Sequence, residues 1–155
     1  MSVQDKIERE ITINAPIERV WQLVSEPGWW ISDDTGDRTG QRRWREDDLE
    51  IVEDPRHGRF PILTVTAEPP RYVSYRWTLA LPDEKPTLGE GNSTLVEFWL
   101  TEQDGAILLR VVESGFVAIT AAAGDKKPIF SFDDNSEGWT QEVAILKSRA
   151  EGASA

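Results

Sequence analysis

The sequence predicts an α+β fold: one antiparallel sheet of six to seven strands, two short helices near its start and a long C-terminal helix. Three observations predict it. Runs of alternating apolar and polar residues recur between residues 41 and 116, separated by turn-forming breaks. A helical period appears only after the first strand and again between residues 133 and 152. No internal repeat or linker divides the 155 residues, so residues 1–152 read as one domain and 153–155 as a frayed tail.

Each element follows from its own pattern. "KIEREITI" (6–13) alternates with Ile7, Ile11 and Ile13 on one side, a half-buried strand. In "NAPIERVWQLVSE" the period changes: Ile17, Val20, Trp21 and Val24 share one helical face. Pro16 suits the first helical position, with Asn14 or Ala15 as the cap, and Pro27-Gly28 stops the helix. "WWIS" then reads as a short second helix or a turn. Trp21 is expected in the core, and Trp29 and Trp30 as lid candidates, one packing and the other edging a cavity mouth.

Six strands follow: "RRWRE", "LEIVED", "FPILTVTAE", "RYVSYRWTLAL", "STLVEFWLTE" and "AILLRVVESGF". Gln103-Asp104-Gly105 is the clearest hairpin turn among the breaks between them. In "STLVEFWL", Val96, Phe98 and Leu100 share one face, and Leu95, Glu97 and Trp99 the other. Val73, Tyr75 and Trp77 point together. Residues 117–132 read as a loop with at most one short turn. Asp134, Asn135 or Ser136 caps the last helix, whose buried face carries Trp139, Val143, Leu146 and Ala150.

Composition narrows the function. With 17 Lys plus Arg against 28 Asp plus Glu, the net charge of −11 repels phosphate backbones and anionic lipid surfaces, arguing against nucleic-acid and membrane partners. The absence of cysteine excludes disulfides, thiolate metal sites and a cysteine nucleophile. The N-terminus lacks the apolar run of a signal peptide and no segment reaches the length of a membrane span, so a cytoplasmic location is the expectation. "DDTGDRTG" clusters acids around Asp33, Thr35 and Asp37 but fails the EF-hand pattern and reads as a solvated loop, and no metal or cofactor is expected. His57, the one histidine, sits in a turn and is read as exposed and idle.

The stretches "INAPIERVWQLVSEP" (13–27), "EPPRYVSYRW" (68–77), "VVESGF" (111–116) and "NSEGWTQEVAILK" (135–147), in this order, resemble the START-like helix-grip superfamily, also called SRPBCC. Within it the chain looks like the branch homologous to the C-terminal domain of the heat-shock-protein ATPase activator. The resemblance implies a curved sheet gripping the C-terminal helix, two short helices closing one end, and an apolar cavity between helix and sheet. It supplies no reaction.

For that cavity the candidate ligand-binding residues are Trp30, Trp44, Tyr75, Trp77, Phe98, Glu113, Phe116 and Trp139. Glu113 shares a face with Ile107, Leu109 and Val111, opposite Arg110, so its carboxylate is expected to point inward with a raised pKa. The bland alternative is a pairing with Arg76 or exposure at the rim. The expected function is non-enzymatic binding of a small apolar molecule of lipid, sterol or aromatic polyketide type. The alternatives are a cyclase- or hydrolase-type cavity enzyme using Glu113 and a protein-interaction module tied to chaperones or the stress response. A monomer or a homodimer suits each.

Overall fold

The structure, a computed structural model, describes residues 5–32, 37–80, 87–125 and 132–152. Seven strands alternate as the sequence predicts: β1 (Lys6–Ile13), β2 (Arg42–Glu46), β3 (Leu49–Asp54), β4 (Gly58–Glu68), β5 (Tyr72–Trp77), β6 (Thr94–Gln103) and β7 (Ala106–Ser114). They form one curved antiparallel sheet in the order β1-β7-β6-β5-β4-β3-β2. The β6–β7 hairpin turns on Asp104 and Gly105, both at positive φ, which gives a two-residue connection whose twist suits the strands. In β4 the register slips between Thr64 and Thr66, a bulge that bends the strand.

Burial follows the pleat. Val96, Phe98 and Leu100 are buried, while Leu95, Glu97 and Trp99 face outward. Outside, the Arg110 guanidinium lies 5.1 Å over the Trp99 ring, whose other neighbour is Tyr72 at 5.3 Å. Val73, Tyr75 and Trp77 all point into the concave face.

Helix α1 (Ile17–Val24) follows β1, buries Ile17, Val20 and Val24, and carries Glu18 in its first turn. Pro16 is its cap residue rather than its first helical residue: ψ of 148° keeps Pro16 extended, and its carbonyl accepts from Arg19 and Val20. Trp21 lies at the flank of the helix and is only partly buried.

After α1 the chain makes hydrogen-bonded turns, Trp29 N to Glu26 O and Ile31 N to Gly28 O, rather than a second helix. The other short helix is α2 (Phe116–Ala123), in the segment expected to be a loop. Its sequence, FVAITAAA, is apolar on every side, so no period betrays it. Helix α3 (Phe132–Gly152) begins earlier than its predicted cap and places Asp133 and Asp134 in its first turn.

Trp139, Val143, Leu146 and Ala150 of α3 face the sheet, as predicted, with Glu142 buried beside them. Burying each aliphatic side chain of this kind contributes about 1.5–3 kcal/mol. Polar ties fix the helix to the sheet edge: Arg9 donates to Ser136 Oγ at 2.7 Å, and Lys147 to Thr12 O at 2.9 Å. No helix among the described residues is long and apolar enough to cross a membrane.

Candidate functional site: an aromatic cleft backed by a buried carboxylate

The site starts at Gly28. Its φ of +75° and its packing, which would place a Cβ 2.5 Å from Ile62 Cδ1, admit only glycine without strain. This left-handed residue turns the chain back under the sheet, and Trp29 and Trp30 are both buried, at 2% and 5% exposure. The pair divides as expected: Trp29 packs inside, and Trp30, though buried, also edges the cleft. Trp29 stands 5.5 Å from Phe98 and 6.0 Å from Trp139, and Trp30 touches Tyr75, Trp77, Phe98 and Trp139. The pair fills the space between helix and sheet.

What remains is an open cleft of about 630 Å³ at the end of the grip. The first half of α3 presents Asp134, Asn135, Gly138, Trp139, Gln141 and Glu142 to it. The opposite side comes from Phe60 and Trp77 of the sheet, from Leu79, and from Arg56 and His57 in the β3–β4 turn. Trp30, Ile31 and Ser32 form the remaining wall. A cleft of this volume and lining suits a drug-sized, largely apolar molecule.

Behind this wall lies Glu113 of β7, fully buried. Its Oε2 accepts from Trp77 Nε1 at 2.7 Å and from the Thr94 hydroxyl. Its Oε1 accepts from Trp139 Nε1 at 2.8 Å and from the Asn135 amide at 3.1 Å. Burial raises the Glu113 carboxyl above the usual range, and these four hydrogen bonds oppose the rise without cancelling it. The inward orientation follows the expected alternation. Arg76, the partner weighed from sequence, lies on the opposite face and donates to Ser93 Oγ.

The polar end of the cleft is tied to the fold. Ser32 Oγ donates to the Glu142 carboxylate at 3.0 and 3.2 Å. His57 Nε2 is 3.1 Å from Ser32 O; a carbonyl only accepts, so this nitrogen carries the proton. Beneath the turn, Asp54 accepts from the Arg56 and His57 backbone N–H groups and from the Gln41 amide. Burial alone would raise its carboxyl, but the Arg56 side chain and backbone and the Gln41 amide outweigh this and hold it at about 2.

Of the predicted ligand-binding residues, Trp30, Trp77 and Trp139 line the cleft. The other five lie outside its lining. Tyr75 is sealed in the core, where its hydroxyl donates to Val24 O at 2.7 Å and burial pushes its pKa up. Phe98 is buried among the rings, and Phe116 packs on Phe132 at the start of α2. Trp44 stacks outside between Arg42 and Arg59. Glu113 backs the wall without lining it.

Sequence reasoning missed Ser32, Asn135 and Glu142; His57 is exposed, as expected, and also lines the cleft. Glu142 carried a signal: it falls between Trp139 and Leu146 on the buried helical face, where a carboxylate is out of place. Among the described residues no cluster of His, Cys, Asp and Glu has the makings of a metal site, and Asp33–Gly36 lie outside those residues.

The sequence model of the family described as "Activator of Hsp90 ATPase homolog 1-like protein" matches residues 14–151. The chain belongs to this family. Solved structures share the fold of this family member. A Bacillus halodurans protein, BH1534, is 23% identical, with a TM-score of 0.64 over 97% of this chain and 100% of its own. An Aha1 dimer from Colwellia psychrerythraea is 15% identical, with a TM-score of 0.59 over 96% and 97% of the two chains. DynU16, from the dynemicin biosynthetic locus, is 19% identical with a TM-score of 0.62, and the chain spans 47% of its length. No curated protein matches the chain.

Proposed function

We propose that the protein binds a small, largely apolar molecule in the cleft between α3, the 30–32 segment and the sheet, without transforming it. The observation that carries this reading is the wall itself. Four aromatic side chains, Trp30, Phe60, Trp77 and Trp139, face a cleft of about 630 Å³, and Glu113 fixes two of them from behind. Rigid aromatic rings present a large apolar area at low entropic cost. The Glu113 oxygens are occupied by four donors from this chain, which favours a structural carboxylate over an acid or base acting on a ligand.

Titration with 1-aminoanthracene, followed by its own emission and by quenching of the tryptophans, tests the reading. The expected result is saturation at one probe per chain, lost in Trp139→Ala if that variant keeps its near-ultraviolet circular dichroism. Native mass spectrometry of freshly purified protein should also show a non-covalent passenger. Failure to saturate, with no passenger, overturns the proposal.

A further inference from the structure

We propose that Trp29 and Trp30 form a fixed plug that sets ligand specificity, so that the cleft takes compact ring-shaped molecules and refuses long acyl chains. This rests on the binding reading above and narrows it to one ligand class.

The geometry of the plug is specific. Trp30 lies against Trp139 of α3 at 5.7 Å on one side, and against Tyr75 at 5.5 Å and Trp77 at 5.3 Å on the sheet side. Rings at such spacing are in van der Waals contact, and no methylene chain passes between them. The residues deeper in the grip, Tyr75, Phe98, Val111 and Leu146, do not line the cleft. A long chain bound at the mouth would therefore leave its far methylenes in water, where they add nothing to affinity.

The segment is pinned rather than hinged. Arg43 donates to Pro27 O at 2.7 Å and to Gly28 O at 3.2 Å, and Gln41 Nε2 holds Ile31 O at 2.8 Å. Ser32 is tied to Glu142. Gly28 packs against Ile62 and Val52 with no room to spare.

The indole N–H groups separate Trp29 and Trp30 from Trp77 and Trp139. Those of Trp77 and Trp139 end on Glu113. Those of Trp29 and Trp30 are buried and have no hydrogen-bond partner among the described residues. A buried donor left unpaired is unfavourable, so the plug residues serve by bulk and shape.

Two fluorescent probes test the proposal: 1-aminoanthracene for the compact class and cis-parinaric acid for the long-chain class. The wild type should bind 1-aminoanthracene at least tenfold more tightly. Trp30→Ala, and Trp30→Leu as the less disruptive variant, should gain at least tenfold in affinity for cis-parinaric acid, with folding checked by circular dichroism. Wild-type binding of cis-parinaric acid as tight as that of 1-aminoanthracene overturns the proposal and leaves the binding reading intact. So does an unchanged preference in a folded variant. Failure of both probes to bind the wild type overturns this proposal, and, with no passenger in native mass spectrometry, the binding reading as well. The wild-type ratio decides the ligand class even if neither variant folds.

Discussion

The indole N–H of Trp77, on the sheet, and that of Trp139, on α3, end on the two different oxygens of one carboxylate, Glu113. The helix and the sheet are thus bridged by a group that neither of them exposes to the cleft. An indole nitrogen only donates, so neither ring has another way to satisfy this buried group from within the pair. The wall of the cleft depends on a residue that does not line it.

A Glu113→Gln variant therefore cannot satisfy both rings. Its amide offers one oxygen and one NH2, and whichever way it turns, one indole N–H faces a donor. Leaving one buried donor unpaired costs about 1–3 kcal/mol, and Glu113→Ala, which strands both indoles, is expected to cost more than Gln. Urea denaturation should show the midpoint falling in the order Glu, Gln, Ala. An unchanged midpoint in the Gln variant would remove the bridging role.

Two carboxyls of opposite behaviour shape the dependence of stability on pH. The Glu113 pKa is raised above its ordinary 4.5 by burial. Its contribution is fully present below that value and is lost as pH rises through the folded pKa. Asp54 is depressed from 3.8 to about 2, so its contribution is present above 3.8 and is lost as pH falls through about 2. The stability gap between wild type and Glu113→Gln is expected to narrow as pH rises from 4.5. The gap to Asp54→Asn should close as pH falls from about 4 towards 2. Denaturation series across pH 2–8 check both signs, and a gap that moves the other way refutes the corresponding assignment.

Much of the fold was legible because strands and amphipathic helices carry their periods locally. β6 and β7 declared their buried faces, the Asp-Gly turn declared their hairpin, and α3 declared its stripe. The inward turn of Glu113 was legible from its phase against Arg110. Its partners were not: Thr94, Asn135 and Trp139 lie 19, 22 and 26 residues away and meet it only through strand pairing and helix docking. Helix α2 was missed because an element apolar all round has no period. Which of Trp29 and Trp30 edges the cleft was not legible, because periodicity ends at Pro27-Gly28 and the path of the chain beyond it is decided by a left-handed glycine wedged against Ile62.

That glycine makes a sharp prediction. Gly28→Ala requires a left-handed alanine, costing about 1–2 kcal/mol, and a Cβ only 2.5 Å from Ile62 Cδ1 and 3.0 Å from Val52 Cγ2. Overpacking of this kind adds about 1–3 kcal/mol. The melting temperature should fall, and Ile62→Val, which removes the clashing methyl, should partly rescue it. A neutral Gly28→Ala would show that the turn tolerates a side chain and that the plug is less tightly held than its packing indicates.

Arg43 offers a test of how the plug is held that leaves its rings intact. Its guanidinium donates to the Pro27 and Gly28 carbonyls and to Gln41 Oε1 at 3.1 Å, and lies 3.4 Å from Glu26. Burial is the main cause lowering its pKa, with the Arg38 charge second. Lysine preserves the charge but not the planar fork that spans two adjacent carbonyls. Arg43→Lys is expected to lose about 1.5–3 kcal/mol, the range of hydrogen bonds made by charged groups. The tryptophan emission should shift to the red as Trp29 and Trp30 loosen, and affinity for cis-parinaric acid should rise in parallel. Loss of stability without any change in emission or probe preference would mean that Arg43 braces the turn without setting the position of the plug.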